Sequence, residues 1–143
     1  MGFSVAIGTA LGKYFDFTGR ATRPEYWYFF LFYLLANTAA AIVDVVVFQT
    51  DTGLFSLITG LGLFIPSLSV GTRRLHDIDR SGWWQLLSFI PIVGVILLIV
   101  WFCMPGSVGT NNFGDDPLFF DPPPPPPPAA RPPNPGQTPI IRR

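Results

Sequence analysis

Three apolar runs, at about residues 27–48, 54–70 and 83–103, follow one another with little charge inside them. Crossing hydrocarbon takes ~20 apolar residues per helix. In lipid every backbone amide has to be bonded within the chain, so runs of this length fold as helices. Between the second and third runs lies a compact charged block, Arg73-Arg74-Leu75-His76-Asp77-Ile78-Asp79-Arg80. It holds three of the nine Lys/Arg, two of the nine Asp/Glu and the only histidine. Such a block has to sit in water or among lipid headgroups. The expected fold is an all-α membrane protein with three transmembrane helices and a short N-terminal interfacial helix. A membrane domain then covers residues 1–117, and 118–143 form a disordered proline-rich tail.

The rest of the composition agrees. Only 13% of the 143 residues are charged, against about 25% in soluble domains. Basic and acidic residues balance at nine each, so the chain lacks the basic footprint of a nucleic-acid binder. Cys103 stands alone, which allows no internal disulfide and no zinc cluster. The sequence carries no nucleophile elbow, metalloprotease helix, phosphate loop or dinucleotide fingerprint. No catalytic, cofactor-binding or metal-binding residue is therefore assigned, and the chain reads as non-enzymatic.

Local signals place the helices. Phe3, Ile7, Ala10, Leu11 and Tyr14 recur at helical spacing in a segment too short to span. Thr22 can cap the next helix, with Pro24 in its first turn and Glu25 in the capping-box position. Tyr26 and Trp27 are the aromatic pair of a bilayer entry, and Trp83, Trp84 and Trp101 mark the ends of the third run. Pro66 predicts a kink in the second run. Lys13, Arg20 and Arg23 precede the first span, Arg73, Arg74 and Arg80 follow the second, and the 49–53 turn has no cation. The positive-inside rule then puts the N-terminus and the charged block in the cytoplasm. Three spans would carry the C-terminus outside. The seven prolines at 122–128 predict polyproline II or disorder, read as a spacer.

The candidate residues fall into two sets. At the charged end, Glu25 can pair with Arg73 or Arg74, and Arg20 or Arg23 with Asp77 or Asp79, with His76 joining them. The bland reading of this block is a topology anchor. The other set is Asn37 and Asp44, seven apart on one helical face with Ala40 and Ala41 between them. A carboxylate inside a span is costly, so Asp44 either serves a polar path or snorkels to the outer interface.

Three separated motifs carry a resemblance. They are Phe17-x-Gly19-Arg20-x-x-Arg23-x-Glu25-Tyr26-Trp27, Arg73-Arg74-Leu75-His76-Asp77-x-x-x-Ser81-Gly82-Trp83-Trp84, and Pro105-Gly106-x-x-Gly109-x-Asn111-x-x-Gly114-x-Asp116-Pro117. In this order they resemble the bacterial membrane family catalogued as domain of unknown function, number 805, over about residues 3–117. The resemblance implies a small multi-pass protein of the inner (plasma) membrane, and location rather than mechanism. Asn112 stands where that family often has a basic residue, which argues against phosphate binding by this turn. The leading functional expectation is a non-enzymatic envelope protein that assembles with itself or with another membrane protein in the lipid bilayer. The alternatives are a small transport component using Asp44 and Asn37, or a protein that binds lipid headgroups.

Overall fold

The computed structural model describes residues 1–49 and 53–118. Among them the chain forms α1 (Phe3–Gly12), α2 (Arg23–Val46), α3 (Leu54–Asp77), a 3-10 helix (Gly82–Phe89) and α4 (Val93–Cys103). The only extended pairing among the described residues is an antiparallel bridge between Asn111 and Gly114. The expected disorder of the proline tail lies outside the described residues, as does most of the polar turn at 49–53.

Helix α2 starts as its sequence predicts. The Thr22 hydroxyl accepts from the Glu25 amide at 3.4 Å, and Pro24 occupies the first turn. The Glu25 side chain does not close a capping box; it turns to Arg73 instead. At 24 residues each, α2 and α3 are about 36 Å long. Both are long and apolar enough to cross a membrane. They pack along their length, with Asn37 against Gly60.

Helix α3 runs past the expected end at 70 and takes in Arg73 to Asp77. It closes with the Arg80 amide on the Leu75 carbonyl at 2.9 Å and the Asp79 amide on His76 at 3.0 Å. Asp79 sits at φ 58, so the pattern is a left-handed cap of the Schellman type. Pro66 lies inside α3 and does not end it. Its missing N–H frees the Gly62 carbonyl four residues back, and the Tyr14 hydroxyl donates to that oxygen at 2.5 Å. This bond and the Ser69 hydroxyl, 2.6 Å from the Asp16 carbonyl, tie the end of α1 to α3. Ala6 and Ala10 form the buried face of α1, while Phe3 and Leu11 of the predicted stripe stay exposed. The first segment is thus docked on α2 and α3 through small residues.

The third apolar run is not a spanning helix. It divides into the 3-10 helix and α4, joined at Pro91-Ile92. The Val93 amide bonds back to the Pro91 carbonyl at 2.8 Å around Ile92 at φ 66, a γ-turn that reverses the chain. A Cβ at Gly94 would overlap the Leu87 carbonyl, so only glycine lets the two legs lie together. Helix α4 has 11 residues, about 17 Å, roughly half a bilayer core. Its last turn, at Phe102 and Met104, bonds to Arg74 near the end of α3. Both ends of the run therefore lie at the charged end of the molecule. This overturns the expected span at 83–103, and with it the premise that put the C-terminus on the far side.

Candidate functional site

Two buried ion-pair groups stitch the charged end together. Asp77 bridges two arginines: Arg20 at 2.9 Å and Arg74 at 2.6 Å. Arg73 pairs with Glu25 at 2.6 Å. All five side chains are at most 5% exposed. Their burial follows from where they sit. Arg73, Arg74 and Asp77 occupy the last turns of α3, and Arg20 and Glu25 flank the start of α2. The Ala21 amide on the Arg73 carbonyl at 2.9 Å holds these two stretches side by side.

The segment after α4 folds over the pairs as a lid of carbonyls. Arg20 donates to the Gly109 carbonyl at 2.6 Å and to the Ser107 carbonyl at 2.5 Å. Arg74 donates to Phe102 at 3.2 Å and also to Met104. In return the Ser107 amide donates to the Asp77 carbonyl at 2.8 Å. Gly106 passes so close to the Asp77 carboxylate that a Cβ there would overlap it. Asn111 donates to the His76 carbonyl and to Ser107 Oγ, both at 2.8 Å, and Gly114 accepts from the Asn111 amide at 3.0 Å. Asn112 binds the Asp79 carboxylate at 3.1 Å, so Asp79 serves the lid and not an arginine. The Leu118 amide, and after it the Gly109 amide and the Arg20 charge, hold the half-buried Asp116 carboxyl below the ordinary carboxylate range.

His76 is part of this assembly. Its ring stacks on Phe113, with centroids 3.9 Å apart and planes 8° apart. Nδ1 lies 3.0 Å from the Gly19 carbonyl. Gly19 itself has φ 73, a left-handed turn that aims its carbonyl at the ring. The other candidates lie around this centre. Arg23 has no carboxylate partner among the described residues and reaches the Cys103 carbonyl at 3.4 Å. Trp27 packs with Tyr26 against the Leu75, Leu98 and Phe102 cluster. Gly82 brings the 3-10 helix onto Thr72, where a Cβ would not fit. Ser81 caps that helix at the Trp83 amide, and Trp83 is exposed. The Arg80 guanidinium lies 4.2 Å above the Trp101 ring, a cation–π contact.

Asp44 sits at the other end of α2. It is 3% exposed and accepts from the amides of Phe55 and Ser56 at 2.9 Å and from the Ser56 hydroxyl at 2.7 Å. Helix α3 begins at Gly53 without a side-chain cap of its own, so Asp44 caps it from the neighbouring helix. Asn37 donates to the Tyr33 carbonyl one turn back. Asp44→Ala should therefore lower the thermal midpoint and the membrane abundance of the protein. Asp44→Asn should fall between it and the wild type, since an amide oxygen still accepts from α3. Thermal unfolding of the purified variants in detergent checks this, and an unchanged Asp44→Ala midpoint would remove the capping role.

Sequence reasoning placed Gly109 in the third motif but did not single out Tyr14's partner, Ser107 or Phe113. Gly109 had a signal in the glycine-rich stretch after residue 104. Phe113, a lone aromatic among polar residues, carried the only hint of a stacking partner for the histidine.

The family described as Protein of unknown function (DUF805) matches residues 14–115 of this chain. The chain is 41% identical over 113 residues to "Inner membrane protein YhaI" of Escherichia coli strain K12, covering 78% of this chain and 93% of that protein. It is 40% identical over 110 residues to "Inner membrane protein YhaH" of the same strain, covering 75% and 91%. No solved structure matches it significantly. The matched segment takes in both long helices, the 3-10 helix with α4, and nearly all of the carbonyl lid.

Proposed function

The chain belongs to the family described as Protein of unknown function (DUF805), and from that premise we propose a non-enzymatic interaction protein of the bacterial inner membrane. In this reading α2 and α3 cross the bilayer, and the 3-10 helix and α4 enter and leave on one face. Lys13, Arg20, Arg23 and the 73–80 block all belong to that face, which the positive-inside rule assigns to the cytoplasm. The printed names of the two relatives support the inner-membrane location.

One observation carries the functional part. The carboxylates of Glu25 and Asp77 are spent on arginines inside the molecule. A group already neutralised and sealed from water is poorly placed for acid–base work on a substrate. The polar groups of the long helices are likewise bonded internally at Asp44 and Asn37, which favours interaction over a conducting path. The outward surfaces of α2, α3 and α4 are apolar, with Leu35, Ile42, Leu57, Ile58, Leu61 and Ile99 exposed. Contacts with another membrane protein or a second copy would form there.

The test is capture of the tagged full chain from gently solubilised membranes after brief cross-linking in cells. A stoichiometric second copy or one defined membrane partner is the expected result. A monomer that carries ions across liposomes, and stops doing so in Asp44→Asn at normal protein level, would replace this reading with transport.

A further inference from the structure

Beside the sealed ion pairs lies an open groove of about 440 Å³ between α3 and the 3-10 helix. Its apolar lining is Phe17, Leu68, Trp83 and Leu86, and its polar lining is Thr72, His76, Ser81 and Gln85. We propose that this groove holds a phospholipid headgroup bearing a primary ammonium, of the phosphatidylethanolamine type. The proposal rests on the reading above that the charged end lies at headgroup level.

The histidine supplies the first half of the argument. A carbonyl can only accept, so the 3.0 Å contact with Gly19 puts the proton of the neutral ring on Nδ1. That leaves Nε2 as a lone-pair acceptor. His76 is 9% exposed. Nε2 has no hydrogen-bond partner among the described residues, yet it is not one of the sealed unpaired atoms, which are both on Arg73. A buried ring with one nitrogen satisfied and the other open at a groove calls for a donor from a ligand. Stacking on Phe113 fixes the direction in which Nε2 points.

Ser81 supplies the second half. Its oxygen accepts from the Trp83 amide, and its own proton has no acceptor among the described residues. The groove lining therefore includes an open acceptor and an open donor together with apolar side chains, while its other polar liners, Thr72 and Gln85, are bonded to each other. An ammonium beside a phosphate, with a hydrocarbon chain below, matches that order: N–H to Nε2, phosphate oxygen to Ser81, first chain carbons along Leu68 and Leu86. A quaternary choline headgroup has no N–H and cannot make the first bond. The volume suits a headgroup and the start of a chain rather than a whole lipid.

The experiment offers the full chain in detergent an equal mixture of phosphatidylethanolamine and phosphatidylcholine with identical chains, and reads retained lipid by native mass spectrometry. The expected result is about a tenfold preference for the ethanolamine lipid, the scale of one charge-assisted hydrogen bond. His76→Asn keeps an N–H for Gly19, removes Nε2 and should bring the preference close to one. Leu68→Trp fills the groove from its apolar wall and should lower retention of the ethanolamine lipid to that of the choline lipid. Equal retention of both lipids by the wild type overturns the proposal, as does a preference that survives Leu68→Trp, the deciding variant if His76→Asn does not fold. Protein that stays dispersed without detergent and retains neither lipid would instead overturn the membrane reading beneath it.

Discussion

Cysteines introduced at Val108 and at Phe15, in a Cys103→Ser background, are expected to react from the same side of the membrane. A cysteine at Phe48 should react from the opposite side. All three positions are exposed on the protein and lie outside the helices, so accessibility to a membrane-impermeant maleimide in intact spheroplasts reports sidedness. The positive-inside argument makes Val108 and Phe15 the protected pair. The expected contrast is all or none, because it follows from bonds that a third span would have to break. Arg20 holds the carbonyls of Ser107 and Gly109, Arg74 holds those of Phe102 and Met104, and Ser107 holds Asp77. Moving the 104–118 segment across the bilayer would strip carbonyl acceptors from two buried guanidinium groups, at about 1–3 kcal/mol for each donor left unmet. Labelling of Val108→Cys together with Phe48→Cys would restore the three-span arrangement and reject the re-entrant one.

The two long helices were legible because length and hydropathy suffice to identify a span. The charged end was legible in outline for a related reason. Charges flanking apolar runs gather at one membrane face, and Glu25 with Arg73 and Arg20 with Asp77 are pairs that the spacing allowed. Which arginine took which acid was not legible. Arg23, three residues from Arg20, faces the end of α4 and among the described residues finds only a carbonyl, and this depends on how α2 enters the bundle. The third run misled because two short helices folded back on each other can be as apolar as one span. Pro91 and Gly94 near its middle were the available signal, and it takes the clash at Gly94 to read them as a reversal. The Asp44 cap was hidden for another reason. Its partners are backbone amides of α3, and amides leave no trace in a sequence.

The two ion-pair groups at the charged end should both suffer from losing one charge, but only the Glu25–Arg73 pair should tolerate losing both. Asp77 neutralises two arginines that are each about 1% exposed or less. Asp77→Asn keeps the volume but leaves Arg20 and Arg74 facing each other without a counter-charge. Breaking a buried pair from one side costs about 3–5 kcal/mol, a large part of a small domain's stability. The variant should lose most of its membrane abundance, and its thermal midpoint in detergent should fall steeply. Glu25 and Arg73 differ, because Arg73 is fully buried and two of its nitrogens, Nε and Nη2, have no partner among the described residues. Each unmet donor costs about 1–3 kcal/mol, so this pair carries a penalty that the Asp77 group, with its carbonyl lid, avoids. Glu25→Leu alone should destabilise, since it leaves the Arg73 charge uncompensated. Glu25→Leu with Arg73→Met removes the charge and both unmet donors together, and exchanging a buried pair for apolar groups is often neutral or stabilising. The double variant should therefore melt near or above the wild type, and above Glu25→Leu in any case. The surrounding cluster of Ala10, Ala21, Phe29 and Val70 is apolar enough to receive the new side chains. A double variant that melts below both singles would mean that the Glu25–Arg73 pair fixes the α2–α3 register, a role no apolar pair can replace.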